Sequence, residues 1–429
     1  MFEICMGNER LTKGLMVSLC IAVACCLPLF NVSIFAWHDQ QRIGQIVIYF
    51  LMFCGALCSG VFSGVKFNLT TGSIVLMIFL FGLLSVAHSL HPVKGLIEFC
   101  LLVASFCFSF VIYRLCCLFS LSANFLLALM ARVVCAGLVI HFYVSYFAAW
   151  VNPDLAFDPH NLITGFSNIR FQGQFFTLAV PVLLFSLSST PQKYAQSVRI
   201  LDWFLALSCI IMVVIAGTRG SLVGWLFACV VGAWLGGQSR AFAVRFFGLC
   251  IAGYALAWLM QNALYWVNPS NGGALFRMAS ANVLGLSGRE IIWSLAWQQF
   301  LLHPWLGIGP MHFAALGSPV AAHPHQIVLQ LLSEWGLPVT SLIMWVVARW
   351  FFQSGKKLKH ITQLQAPFVG VYLFFALTAS MMQAMVDGVL VMPYTQLWLF
   401  LLGGWAVAVF SDPWPFPHPQ PATSVQRVV

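Results

Sequence analysis

Charge is what this chain has least of. Only 7% of its 429 residues are Asp, Glu, Lys or Arg, and the acids number 11. A soluble domain carries roughly 25% charged residues, so a water-soluble globular enzyme is excluded. Nucleotide-driven chemistry is not expected either, because no Gly-rich phosphate loop of the Walker type is present. Despite a net charge of +9, no cluster of basic residues with interleaved aromatics forms a nucleic-acid surface. The 14 cysteines fall in or beside apolar runs, and none lies in the segment 263–325. They read as small hydrophobes rather than as a disulfide framework. No internal repeat is visible.

What the chain has instead is apolar length. Runs of about 20 residues recur from end to end, each enough to cross a hydrocarbon core about 30 Å thick. They fall near 14–37, 43–64, 71–90, 95–120, 123–149, 173–189, 201–217, 221–237, 242–262, 326–352, 366–386 and 389–410. The fold class is therefore all-α, a polytopic integral membrane protein with about twelve transmembrane helices. Residues 1–412 form one transmembrane domain, and 413–429 is a Pro-rich tail expected to be disordered. The first run has no clear small-residue cleavage site and reads as an uncleaved helix.

Basic residues set the expected orientation, since cytoplasmic loops retain Lys and Arg. With the N-terminus inside, the even-numbered loops are the basic ones and hold about twice as many cations as the opposite side. Both termini are then cytoplasmic. Two loops on the other face are long, about 150–172 and 263–325. The second contains a helix expected from Gly288 to about Leu302, whose Trp-rich apolar side suits the membrane interface. The inner face has only short connections, so the function is expected at the outer face.

Charged and titratable groups near hydrocarbon mark the candidate site. Arg219 sits in IAGTRGSLVGW between two apolar runs, beside glycines and a helix start. A guanidinium there is suited to a phosphate oxyanion, or to snorkelling toward lipid headgroups. Arg289 opens the interfacial helix in LSGREIIW, and Arg170 ends the first outer loop in SNIRFQGQ. Arg289 can serve an anion or simply a helix start, and Arg170 can join the same electropositive mouth. The stretch AHPHQIVLQLLSEWGLP, residues 322–338, places His323 and His325 at the lip of the tenth span. A neutral imidazole there can accept a hydroxyl proton near pH 7. Metal binding is not expected, because an HxH pair lacks the three or four convergent ligands required. Nine helical positions turn Glu334 about 180° away from His325. Gln326, Gln330 and Glu334 recur every four residues as one polar stripe, which must face the bundle or a wet cavity. Asp387, in QAMVDGVLVMP, joins the same polar region.

Three blocks, GTRGSLVG, SGREIIWSLAWQQFLLHPWLGIGPMHF and HPHQIVLQLLSEWGLP, resemble the O-antigen ligase family and its relatives, the O-antigen polymerases and bacterial protein O-oligosaccharyltransferases. The family's mark is a His usually followed by Asn, then Leu, a later Glu and Gly. It corresponds to His325, Gln326, Leu329, Glu334 and Gly336, with Gln standing where Asn is usual. The resemblance implies a GT-C-like fold and an inverting glycosyltransferase of lipopolysaccharide biosynthesis, active at the periplasmic face of the Gram-negative inner membrane without metal or cofactor. The implied donor is a glycan on undecaprenyl pyrophosphate and the implied acceptor is lipid A–core, in a setting of membrane lipids. Arg219 and Arg289 would hold the pyrophosphate and stabilise the departing charge, and His325 would take or orient the acceptor hydroxyl's proton. His323, Gln326 and Arg170 complete the expected substrate-binding set. The short tail after the last span favours ligation over polymerisation and protein glycosylation. A secondary transporter, resting on Arg132 and Glu98, is the rival from another class.

Overall fold

A computed structural model describes residue 14 and residues 37–62, 69–118, 120–152, 154–155, 157, 166, 168–188, 196–269, 288–318, 321–360 and 369–411. The expected first span lies outside these residues except at its two ends, and the expected tail 413–429 lies wholly outside them. Among the described residues the chain is all-helical, with no strand. The twelve α-helices are α1 Trp37–Cys58, α2 Leu69–His88, α3 Pro92–Leu118, α4 Ser120–Val151, α5 Ile169–Ser188, α6 Gln196–Ile215, α7 Arg219–Leu235, α8 Gly237–Val267, α9 Arg289–Leu302, α10 Ile327–His360, α11 Val369–Ala384 and α12 Pro393–Phe410.

Seven of these are long and apolar enough to cross a membrane, namely α1, α3, α4, α6, α8, α10 and α12, and four shorter apolar helices, α2, α5, α7 and α11, stand among them. Those eleven coincide with expected spans two to twelve, so the protein is a multi-pass membrane protein. The remaining helix, α9, is the amphipathic one expected at 288–302. It buries Ile292 and Ala296 and leaves Ile291, Trp297 and Leu301 exposed.

Helices pack where small residues let backbones meet, which drives association when lipid is as apolar as the side chains. Gly224 of α7 faces α11 so closely that an added Cβ would stand 2.4 Å from the Ala379 carbonyl oxygen, and Gly404 of α12 meets Ser109 of α3 at 2.2 Å. One half of the bundle joins α5, α6, α7, α8 and α11; the other joins α1, α3 and α12. Helix α10 lies against α2, α9 and α11. Aromatic rings fill the interior, with Phe175 edge-on to Trp398 and Phe242 edge-on to Phe375.

The sequence pattern suggests an unbroken tenth span, and the structure breaks it. Gly336 has φ 74 and ψ 177, outside the helical region, and Pro338 lacks an N–H with which to continue the ladder. The loop after α9 repairs the break. Ile308 and Gly309 donate their N–H groups to the carbonyls of Ser333 and Glu334 at 2.9 and 3.0 Å, and Leu337 N–H donates to the Pro304 carbonyl at 2.8 Å. Ser85 of α2 adds a bond from its hydroxyl to the Glu334 carbonyl at 3.2 Å. Two backbones lie this close only because Gly307 and Gly336 carry no Cβ. One added at either position would stand within 2.3–2.4 Å of the facing backbone.

Candidate functional site

The α6–α7 turn shows how local sequence places the first arginine. Gly217 takes φ 68, ending α6. Thr218 turns its hydroxyl back onto the Val213 carbonyl at 3.1 Å, so Arg219 is the first residue of α7. Gly173 of α5 abuts that turn, since an added Cβ would meet Ser221 Oγ at 2.8 Å and Thr218 at 2.9 Å. The starts of α5 and α7 are thereby pressed together, with Arg170 one turn before the contact and both guanidiniums exposed. Gly220 faces Gln383 and Val386, which brings the α11–α12 turn and Asp387 alongside. Arg289 begins α9 in the same way, after Gly288 at φ 76, and is half-buried.

The histidines complete the cluster. His325 is buried and sits at φ 55, and its Nδ1 lies 3.1 Å from Asp387 Oδ1. The same oxygen accepts the Gly388 N–H at 2.9 Å. His323 stacks edge-on against His325 with ring centroids 4.0 Å apart, and Gly388 leaves room for its ring, which would stand 2.5 Å from an added Cβ. Its Nδ1 is buried without a partner.

Electrostatics tie these groups into one site. Burial lowers the pKa of Arg289 first; Asp387 opposes that shift, and the like charges of Arg170 and Arg219 reinforce it. His323 is pushed down to about 3, chiefly by burial and then by His325, with Arg170 adding to the shift and Asp387 opposing it. It is therefore neutral at any physiological pH. Burial raises the Asp387 carboxyl, but the hydrogen bond from His325 leads a set of interactions that outweigh it and hold the group below its ordinary value. Asp387 is then an anion that accepts from Nδ1–H, which leaves Nε2 of His325 as the lone-pair nitrogen.

Arg170, Arg219, Arg289, His323 and His325 are thus brought together. Gln326 stands at the lip as well, but its Oε1 accepts the Leu329 N–H and caps α10. Glu334 is bonded elsewhere. Its carboxylate accepts the Phe313 N–H at 3.2 Å and the Gln330 amide at 3.3 Å, in line with the polar stripe read from its spacing. The role of Asp387 as the partner of His325 is the part the sequence reading did not reach. The two residues are 62 positions apart, and the only local signal is an Asp-Gly turn between apolar spans. Among the described residues no three His, Cys, Asp or Glu side chains converge as a metal-ligand set.

Residues 204–344 match the family described as O-Antigen ligase. The matched stretch includes Arg219, Arg289, His323 and His325 and stops short of Asp387. No curated protein matches the chain. Over this stretch, from α6 to the middle of α10 and around the arginine and histidine cluster, the chain is similar to the O-antigen ligase family.

Proposed function

We propose that this protein transfers a glycan from undecaprenyl pyrophosphate to a hydroxyl of lipid A–core at the periplasmic face of the inner membrane. The observation that carries the reading is the meeting of three arginines, each at a helix start, with a buried His–Asp pair whose Nε2 is left open. Arginines match pyrophosphate oxygens in geometry as well as charge, and helix N-termini add partial positive charge. The acceptor oxygen attacks the anomeric carbon while the bond from that carbon to the pyrophosphate oxygen breaks. The hydroxyl proton passes to His325 Nε2. Arg219 and Arg289, with Arg170 at the mouth, hold the negative charge that develops on the departing pyrophosphate. Attack from the face opposite the leaving group inverts the anomeric carbon. His323, neutral and packed edge-on against His325, completes the proposed substrate-binding set. With the charge met by guanidiniums, the reaction is expected to persist in excess chelator.

The two residues on which a transporter reading rests are both ion-paired. Arg132 binds Asp202 through two bonds of 2.6 and 2.9 Å, and Glu98 is paired with Arg42. O-antigen polymerisation uses the same donor chemistry and stands as the alternative acceptor choice. Complementation of a ligase-deficient strain, read separately for chain length, lipid A attachment and protein glycosylation, tests the proposal. Restored attachment to lipid A–core supports ligation. Altered chain length without attachment assigns polymerisation, and glycosylated protein alone assigns the third relative.

A further inference from the structure

Trp293 of α9 donates from its indole Nε1 to the Pro324 carbonyl oxygen at 3.0 Å. That carbonyl belongs to the planar peptide joining Pro324 to His325, so fixing it fixes the peptide plane from which φ of His325 is measured. His325 holds φ 55, a left-handed setting that residues other than Gly rarely adopt and that the surroundings must impose. Asp387 grips the imidazole from one side. Trp293 grips the backbone from the other. Pro324 adds its own rigidity, since its ring fixes φ, and it is buried. Without an indole N–H its carbonyl would be left unsatisfied or would turn to find another donor.

The placement of Trp293 on α9 gives this bond a second consequence. Trp293 follows Arg289 by four residues, so the two lie on one face of one helix. Ile292 and Ala296 of the same helix clasp Phe313, with Ala321 and Leu329 packed around them. One rigid element therefore carries both an anion-facing guanidinium and the group that sets the imidazole.

We infer that Trp293 is a positioning residue that ties occupancy of the arginine site to the left-handed setting of His325. Donor bound at Arg289 holds α9 in place, and α9 holds the Pro324–His325 peptide so that Nε2 meets the acceptor hydroxyl. This rests on the glycan-transfer reading above.

The test uses the full chain in lipid nanodiscs, comparing Trp293→Phe with the wild type and with Trp297→Phe, an exposed tryptophan of the same helix. Trp293→Phe keeps the ring and removes the N–H. It is expected to lower kcat by about tenfold or more at unchanged donor KM and unchanged melting temperature, while Trp297→Phe leaves both constants as they were. The second readout is carbethoxylation of His325, followed by mass spectrometry. Farnesyl pyrophosphate should slow the modification in the wild type and in Trp297→Phe, and not in Trp293→Phe. Wild-type kcat together with wild-type protection in Trp293→Phe overturns the inference. So does a variant that loses thermal stability and raises donor KM in step, which marks Trp293 as packing alone. Should the wild type transfer no glycan while protection still depends on Trp293, the coupling stands and the transfer reading fails.

Discussion

Among the described residues there are two buried pairs of an acid with a base, and they are built in opposite ways. Arg132 and Asp202 both stand on regular helices, α4 and α6, and close on each other through two bonds, with Asp202 at 0% exposure. His325 and Asp387 both stand on irregular backbone and share a single bond of 3.1 Å, and His325 adopts a left-handed φ to make it. The first pair is a two-bonded clamp between helices. The second spends one nitrogen on its partner, and the other makes no hydrogen bond among the described residues. Burial alone thus does not mark a candidate site; what singles this one out is a buried pair joined by one bond, beside Arg170, Arg219 and Arg289.

Breaking each pair should separate the two roles. The largest effect is expected from His325→Ala and Asp387→Asn, which should lower transfer by about 10²- to 10⁴-fold while the melting temperature moves little. Lipid-linked donor should then accumulate at normal protein level, and normal transfer by His325→Ala would remove the imidazole from the chemistry. The reverse pattern is expected of Asp202→Asn or Arg132→Met. Each strands a buried charge and should cost about 3–5 kcal/mol of stability, read by denaturant or thermal unfolding. The double replacement Arg132→Met with Asp202→Leu should recover most of that loss.

Acidification sharpens the contrast. His323 holds its folded pKa at about 3, whereas an unfolded histidine titrates near 6.5. Between those values only the unfolded chain binds the proton, so stability falls as pH falls, by about 1.4 kcal/mol per pH unit below roughly 6.5. His323→Gln should flatten that slope between pH 6 and 4, and an unchanged slope would show that His323 does not stay neutral in the fold. Asp387 works in the other sense. Its folded pKa is depressed, so the stability it contributes is present above the ordinary carboxylate value and is lost as pH falls through the lower one. The smallest effect is expected from Glu334→Gln. The amide keeps an acceptor for the Phe313 N–H, and transfer should stay within about fivefold of wild type. A collapse of transfer at full stability would move Glu334 from the helix scaffold into the reaction.

The sequence showed the helices because apolar length is a local property, and eleven of the expected spans coincide with helices. It singles out Arg219, Arg289 and His325 as candidates for a related reason. Each stands at a boundary that glycine or proline announces, and polar groups are conspicuous beside hydrocarbon. Asp387 was assigned to the right region without a partner, because a pairing between chain positions 325 and 387 leaves no local pattern. The break in α10 leaves only Gly336 and Pro338 as local signs, and apolar length on both sides of them reads as one span. What decided it was the 304–309 loop, whose hydrogen bonds make a broken helix affordable in a setting without water.

That repaired break also sets a clock. The amides of Ile308, Gly309 and Leu337 are donors in bonds that join the loop to α10, and none can open unless the loop lifts from the helix. Their hydrogen exchange should therefore be slow and should share one rate, unlike the independent fraying of ordinary loop amides. Removing a single glycine, as in Gly307→Ala, should release the whole group together. The lip that presents His325 and the span beneath it would then be seen to open and close as one unit.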